Sequence, residues 1–271
     1  MSRRYILIGV EGNHDQAFIG KILQKLLGFS QFEGSKSELD KLLETKESIW
    51  HEFIPSYPNK TLYKRLDMPS IFYNDDFSVA IYVGEGSKLI SNLKDKLSNI
   101  SDYSTSLSAF AIVVDADEKT PAEVVKIYHD GLQEYFPDFP TEVSATGTVI
   151  ESTPRLGLYV LPNNADQGVL DTILYACGEV AYPEYMARAK SYVDQFSEEE
   201  IKQIKWKPFD KEKATIATVA SILQPGMTNT VTIARNKWVS LQTERQIPYL
   251  QNLTHFLRNL LSIEIDSVIK H

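Results

Sequence analysis

A single cysteine, Cys177, in 271 residues leaves no partner for an internal disulfide and no multi-cysteine zinc site; it fits a reducing cytoplasm, where we expect the chain to act. No apolar run approaches the roughly 20 residues that a bilayer-spanning helix needs, so no membrane partner is expected. Met-Ser-Arg-Arg at the start leads into a strand-length apolar run, too short and too β-branched for a signal peptide. Basic charge is also scarce. Lys and Arg number 28 against 36 Asp and Glu, a net charge of -8, which argues against indiscriminate nucleic-acid binding. It leaves room for a nucleic-acid enzyme whose acidic site carries a divalent metal. Phosphate-loop glycines are missing too: Gly84-Glu-Gly86-Ser-Lys88 lacks the spacing of a P-loop and of the dinucleotide fingerprint. Without a P-loop, the Walker B-like run Ile112-Val-Val-Asp115 gives no ATPase.

What remains is an ordinary globular composition, 43% hydrophobic and 24% charged, with enough chain for one large domain or a core plus an appendage. Strand-like runs at Tyr5 to Val10, Ser78 to Val83, Ala109 to Val114, Val143 to Ile150 and Gly157 to Leu161 alternate with helical spacing. Phe18, Ile22, Leu26 and Phe29 mark the first helix, and Gly28 its stop. Ser35 to His51 predicts a second, followed by an irregular, aromatic-rich stretch over 55–69. Leu89, Leu93 and Leu97 share one helical face, and Thr120-Pro121 opens another helix as N-cap and first-turn proline. The alternation predicts an α/β fold with a mainly parallel sheet flanked by helices. Beyond about 183 the strand signal fades, and helices are predicted near 183–193, 197–205, 210–223, 230–241 and 246–262. We therefore expect a core over 1–180, with an insertion at about 35–77, and a helical extension over 181–271 packed on it.

Chemistry concentrates where strands end. Glu11-Gly12 follows the first strand, and Asp115-Ala-Asp117 follows a strand hydrophobic enough to be central. A charge at the end of a buried strand is costly without a partner, and open α/β sheets place ligands above those ends. On a strand, i and i+2 point the same way, so Asp115 and Asp117 would repel unless a cation sat between them. Magnesium, or manganese in its place, suits two carboxylates and a substrate phosphate. Glu11 would be a third ligand or a general acid/base. The plainer readings are an exposed turn glutamate and an acidic cluster favoured by a helix dipole. Backbone N–H groups from Gly12 onward would favour an anion at the following helix. Lys213, Lys60 and Arg65 are candidate phosphate contacts, against the plainer reading of solvated surface cations. His14, beside Asp15, is a further candidate against an exposed turn histidine.

Strand-Glu11-Gly12-x-x-Asp15-x-x-Phe18-Ile19, followed roughly a hundred residues later by strand-Asp115-x-Asp117, resembles the Toprim domain of topoisomerases, bacterial primases and nucleases of the overcoming-lysogenization-defect type. With Tyr82-Val-Gly-Glu-Gly86 and Leu161-Pro-Asn-Asn164 leading to Gly168-Val-Leu-Asp171, the chain is most similar to the DUF3226 group, over about 4–176. The resemblance implies Glu11 as general acid/base, and Asp115 and Asp117 as the magnesium pair. Asp171 stands where the group would have Glu, a fourth carboxylate shorter by a methylene. Neither a topoisomerase tyrosine nor a primase zinc motif can be assigned. A haloacid-dehalogenase-type phosphatase also uses strand-Asp-x-Asp, but wants Thr or Val where Lys119 stands. Two functions follow as expectations. One is a magnesium-dependent, nuclease-like phosphodiester-transfer enzyme on nucleic acid. The other is a non-catalytic module binding a nucleotide, a protein partner or a second copy of itself.

Overall fold

The computed structural model describes residues 3–53, 70–100 and 102–263. The strands are β1 (Arg4–Val10), β2 (Ser30–Gln31), β3 (Ser70–Tyr73), β4 (Phe77–Val83), β5 (Ala109–Asp115), β6 (Thr148–Ile150) and β7 (Arg155–Leu161). They form one sheet in the order β2-β3-β4-β1-β5-β7-β6. The helices of the first half are α1 (Asn13–Leu26), α2 (Lys36–Leu42), α3 (Leu89–Ser98), α4 (Tyr103–Ser106), α5 (Pro121–Leu132) and α6 (Leu170–Ala181). Those of the second half are α7 (Pro183–Val193), α8 (Glu198–Gln203), α9 (Asp210–Leu223), α10 (Asn229–Arg235), α11 (Leu241–Gln246) and α12 (Pro248–Leu261).

The four central strands, β4, β1, β5 and β7, run parallel, while β2, β3 and β6 pair antiparallel at the two edges. Parallel strands need both faces covered, and their sequences show it. On β1, Ile6, Ile8 and Val10 pack into one core with Phe18, Ile22 and Leu26 of α1, while Leu7 packs into the other with Leu89, Leu93 and Leu97 of α3. On β5, Ala109, Ala111 and Val113 take the first face and Phe110, Ile112 and Val114 the second. The first core also takes in Ile173 and Leu174 of α6, Ile216 and Val219 of α9, and Leu253, Phe256 and Leu257 of α12.

This layering has one consequence for function. The helix after β1 covers the first face, and the helix after the neighbouring β5, α5, covers the second with Val124, Val125 and Tyr128. Chains leaving adjacent strands in opposite directions open a crevice at the carboxyl ends, where α/β sheets bind ligands.

Local departures from the sequence reading have local causes. The helix predicted from Ser35 stops at Leu42, because Glu44 turns into the left-handed region at φ 53; a 3₁₀ turn, Ile49–Glu52, follows. The strand predicted over 143–150 shrinks to Thr148–Ile150 at the sheet edge. The helix predicted over 230–241 stops at Arg235, and α11 starts only at Leu241, where Ser240 caps it by accepting from the Thr243 N–H. β3 was not anticipated. Lys60, Lys64 and Arg65 lie outside the described residues.

Gly84 closes the crevice on the β4 side. Its N–H donates to Val10 O at 3.0 Å, and the Gly86 N–H donates to Glu11 O at 2.9 Å. A Cβ on Gly84 would land on the Cα and side chain of Leu89. Gly84→Ala is therefore expected to cost about 1–3 kcal/mol in denaturant unfolding. A variant as stable as the parent would contradict the close approach.

Candidate functional site

The register fixes where the acids leave the sheet. Val10 of β1 pairs with Val113 of β5, so Glu11 departs one residue below the level of Asp115, the last residue of its strand. Glu11 reaches toward α5, where the Tyr128 hydroxyl donates to its Oε1 at 3.1 Å. Asp115 continues the series Ala109, Ala111, Val113 toward α1 and α6, and its Oδ1 accepts from the Leu170 N–H at 2.8 Å. A third acid fills the gap between them. Asp15, 7% exposed in the first turn of α1, turns its Oδ2 back to accept the Gly12 N–H at 2.8 Å.

Asp117 does not follow the strand geometry expected of it. β5 ends at Asp115, Ala116 N–H donates to Leu161 O at 3.0 Å, and Asp117 turns left-handed at φ 51 in a two-way bridge with Gly168. The i, i+2 argument thus fails at its second member, and Asp117 is exposed. Its charge is nevertheless felt by both Glu11 and Asp115. Asp171, 8% exposed, completes the group from α6.

Burial and neighbouring charge shift these acids in one direction. Asp115 is pushed well above the usual carboxylate range, first by burial, then by Asp15 and Glu11, and also by Asp117. Asp15 is pushed from 3.8 to about 7, mainly by burial, with Glu11 and Asp171 adding to it. Glu11 and Asp171 are both raised, burial leading in each. Against burial and the charges of Asp15, Glu11 and Asp117, all of which raise Asp115, stands the hydrogen bond from the Leu170 N–H, which lowers it; the net direction is upward. The cluster either keeps protons or takes a cation.

The other predicted contacts fall at the rim or elsewhere. Lys213, beside Asp210 at 3.7 Å, is near enough to Asp171 to lower its pKa, and it also lowers that of His14, whose depression comes first from burial. Gly12 caps α1, but its N–H is engaged by Asp15, so that donor is not free for a substrate phosphate. Lys60 and Arg65 lie outside the described residues. Sequence reasoning missed Asp15 and Tyr128 as site members. Asp15 sat within the quoted motif, its Gly-x-x-Asp spacing that of a helix cap; Tyr128 carries no signal, because its partner lies 117 residues away.

The resemblance implies magnesium at this donor set. Among the described residues, no three His, Cys, Asp or Glu side chains already form a metal cage. Magnesium asks less, one or two carboxylates with waters and substrate phosphate. Unneutralised, crowded carboxylates fit that need. So does Asn13 Oδ1, a buried oxygen in the first turn of α1 without a hydrogen-bond partner.

Comparison with known proteins supplies a family but no activity. A family described as "Protein of unknown function (DUF3226)" matches residues 5–262, and the chain belongs to it. No curated protein matches. The crystal structure of the hypothetical protein PH0156 from Pyrococcus horikoshii OT3 is 19% identical, covering 96% of this chain and 97% of that one with a TM-score of 0.49. That likeness is too loose to bear on the site. Among the described residues, no helix is long and apolar enough to cross a membrane.

The raised carboxylates make a pH prediction for metal-free protein. For Asp15, with its folded pKa at about 7 against 3.8 unfolded, the folded state holds the extra proton in between, so stability falls as pH rises through that window. Melting temperature in EDTA should therefore drop between about pH 4 and about pH 7, less steeply in Asp15→Asn, whose amide oxygen can still accept from Gly12. A melting temperature that rises across the window, or an unchanged slope in the variant, would contradict the assignment.

Proposed function

We propose that this DUF3226 chain is a magnesium-dependent phosphodiester-transfer enzyme of the Toprim type, nuclease-like, acting on nucleic acid. Residues 1–180 would form its core and 181–271 its helical extension. The observation that supports this best is the meeting of Glu11, Asp15 and Asp115, from the ends of adjacent parallel strands and the helix between them, at the point where the chain reverses direction. Bound magnesium, with manganese as its substitute, would polarise a phosphoryl oxygen.

The chain's own residues would do the rest. Asp115 and Asp117 would hold the ion, with Asp171 as a fourth carboxylate of the set. Glu11, its pKa raised by burial, would move a proton to or from a reacting oxygen. The Tyr128 hydroxyl fixes which way that carboxyl faces. Lys213 and His14 would meet a phosphate at the α9 side.

A second reading is also supported by a specific observation. Asp115 accepts from Leu170 and Asp15 from Gly12, so two of the acids already serve as helix caps. A module that keeps the fold and binds a nucleotide, a protein partner or a second copy without turnover would need no more.

Thermal melting and cleavage assays separate the two. Manganese or magnesium should raise the melting temperature by several degrees, and Asp115→Asn should abolish the rise. Glu11→Gln should cut cleavage of plasmid or single-stranded substrate by about 10²–10⁴-fold. Tyr128→Phe should lower it about tenfold and shift the acidic limb of the rate profile. Metal stabilisation with no cleavage of any DNA or RNA selects the binding module, and no metal shift at all overturns both assignments.

A further inference from the structure

Helices α6, α7 and α9 pack on one another and leave a cavity of about 270 Å³ between them. Its wall combines two aromatic rings, Tyr175 and Phe209, with Lys190, Lys211, Glu212 and Thr215. This chemistry matches none of the acids described above. Aromatic faces take flat heterocycles, and an ammonium takes a phosphate. The volume lies just below the usual range of ligand pockets, roughly 300–1,000 Å³, too little for a duplex or a dinucleotide.

The two lysines are not equivalent. Lys211 is tied to Asp194 at 2.6 Å, whereas Lys190 has no carboxylate partner among the described residues. Glu212 accepts from the Thr172 hydroxyl at 2.8 Å and keeps lone pairs for a sugar hydroxyl or a base amino group. Phe209 is the N-cap of α9, left-handed at φ 70, and from there its side chain lines the cavity.

Position links the cavity to the acids. Asp171 and Tyr175 are four residues apart on α6, on one face and about one turn, 5.4 Å, apart along the axis. Glu212 reaches both sides, since it lines the cavity and its charge raises Asp171.

We propose that the cavity is a nucleotide subsite, with the base against Tyr175 and Phe209, the phosphate on Lys190 and the sugar or base edge on Glu212. It rests on the phosphodiester-transfer reading, for which it would seat the nucleotide next to the reacting phosphate. A free nucleotide and a unit of a strand share this chemistry, and the test separates them.

Calorimetric titration of the full chain in EDTA, with AMP, adenosine, inorganic phosphate and a short single-stranded oligonucleotide, tests the subsite without metal. AMP should bind, and Tyr175→Ala should weaken it about tenfold or more while Tyr175→Phe retains it. Lys190→Ala should weaken AMP but not adenosine. Tyr175 packs partly on the core, so exposed Lys190 gives the arm that folding cannot confound. Tighter binding of the oligonucleotide than of AMP identifies a strand, and the reverse a free nucleotide. Absence of binding by AMP and oligonucleotide alike, or binding that both alanine variants leave unchanged, overturns the subsite. Because EDTA removes any metal, binding that persists when manganese gives no thermal shift would sink the phosphodiester-transfer reading alone. A thermal shift with no nucleotide binding would sink the subsite alone.

Discussion

Mutual repulsion among carboxylates at the carboxyl ends of β1 and β5 is the constraint on which the rest of this structure turns. Glu11, Asp15 and Asp115 come from a strand end, a helix start and a second strand end; Glu11 raises the proton affinity of Asp15, and both raise that of Asp115. Asn could accept from the same Leu170 and Gly12 N–H groups without bringing a charge, and a buried charge without compensation is among the most expensive groups a fold can carry. Protons relieve that cost in the metal-free chain; in the reading proposed above, a hard divalent cation would relieve it instead.

The scaffold makes that cost bearable by being rigid around it. Central strands buried on both faces hold the register of Val10 to Val113, and the Gly84 and Gly86 N–H groups tie the loop after β4 to the backbone of Val10 and Glu11. Helices α9, α10 and α12 pack against the same core as α1 and α6, so the second half of the chain walls the crevice on the Asp171 side. That wall brings Lys213 to the acids and, one helical turn farther, forms the cavity lined by Tyr175 and Lys190.

Much of this was legible in the residues themselves. Continuous apolar, largely β-branched runs identified the parallel strands, and Thr120-Pro121 marked a helix start. What failed was long-range or stereochemical. Tyr128 reads as a core aromatic until a strand end 117 residues away supplies the carboxylate it donates to. Asp117 looked coplanar with Asp115 because alternation was extended past the last strand residue; its positive φ and bridge to Gly168 come from a loop that only tertiary structure brings near. Asp15 was quoted within the motif yet left out of the site, since capping and catalysis share one spacing there. β3 escaped because Ser-Ile-Phe-Tyr is too short to show a period and gains its strand identity from pairing with β4.

The central claim is that these acids share one divalent cation. Anomalous diffraction from crystals soaked in manganese tests it most directly. The account predicts a single peak bounded by Glu11, Asp115 and Asp117. Crystals that take up manganese elsewhere, or show no peak while the three carboxylates keep their places, would contradict it.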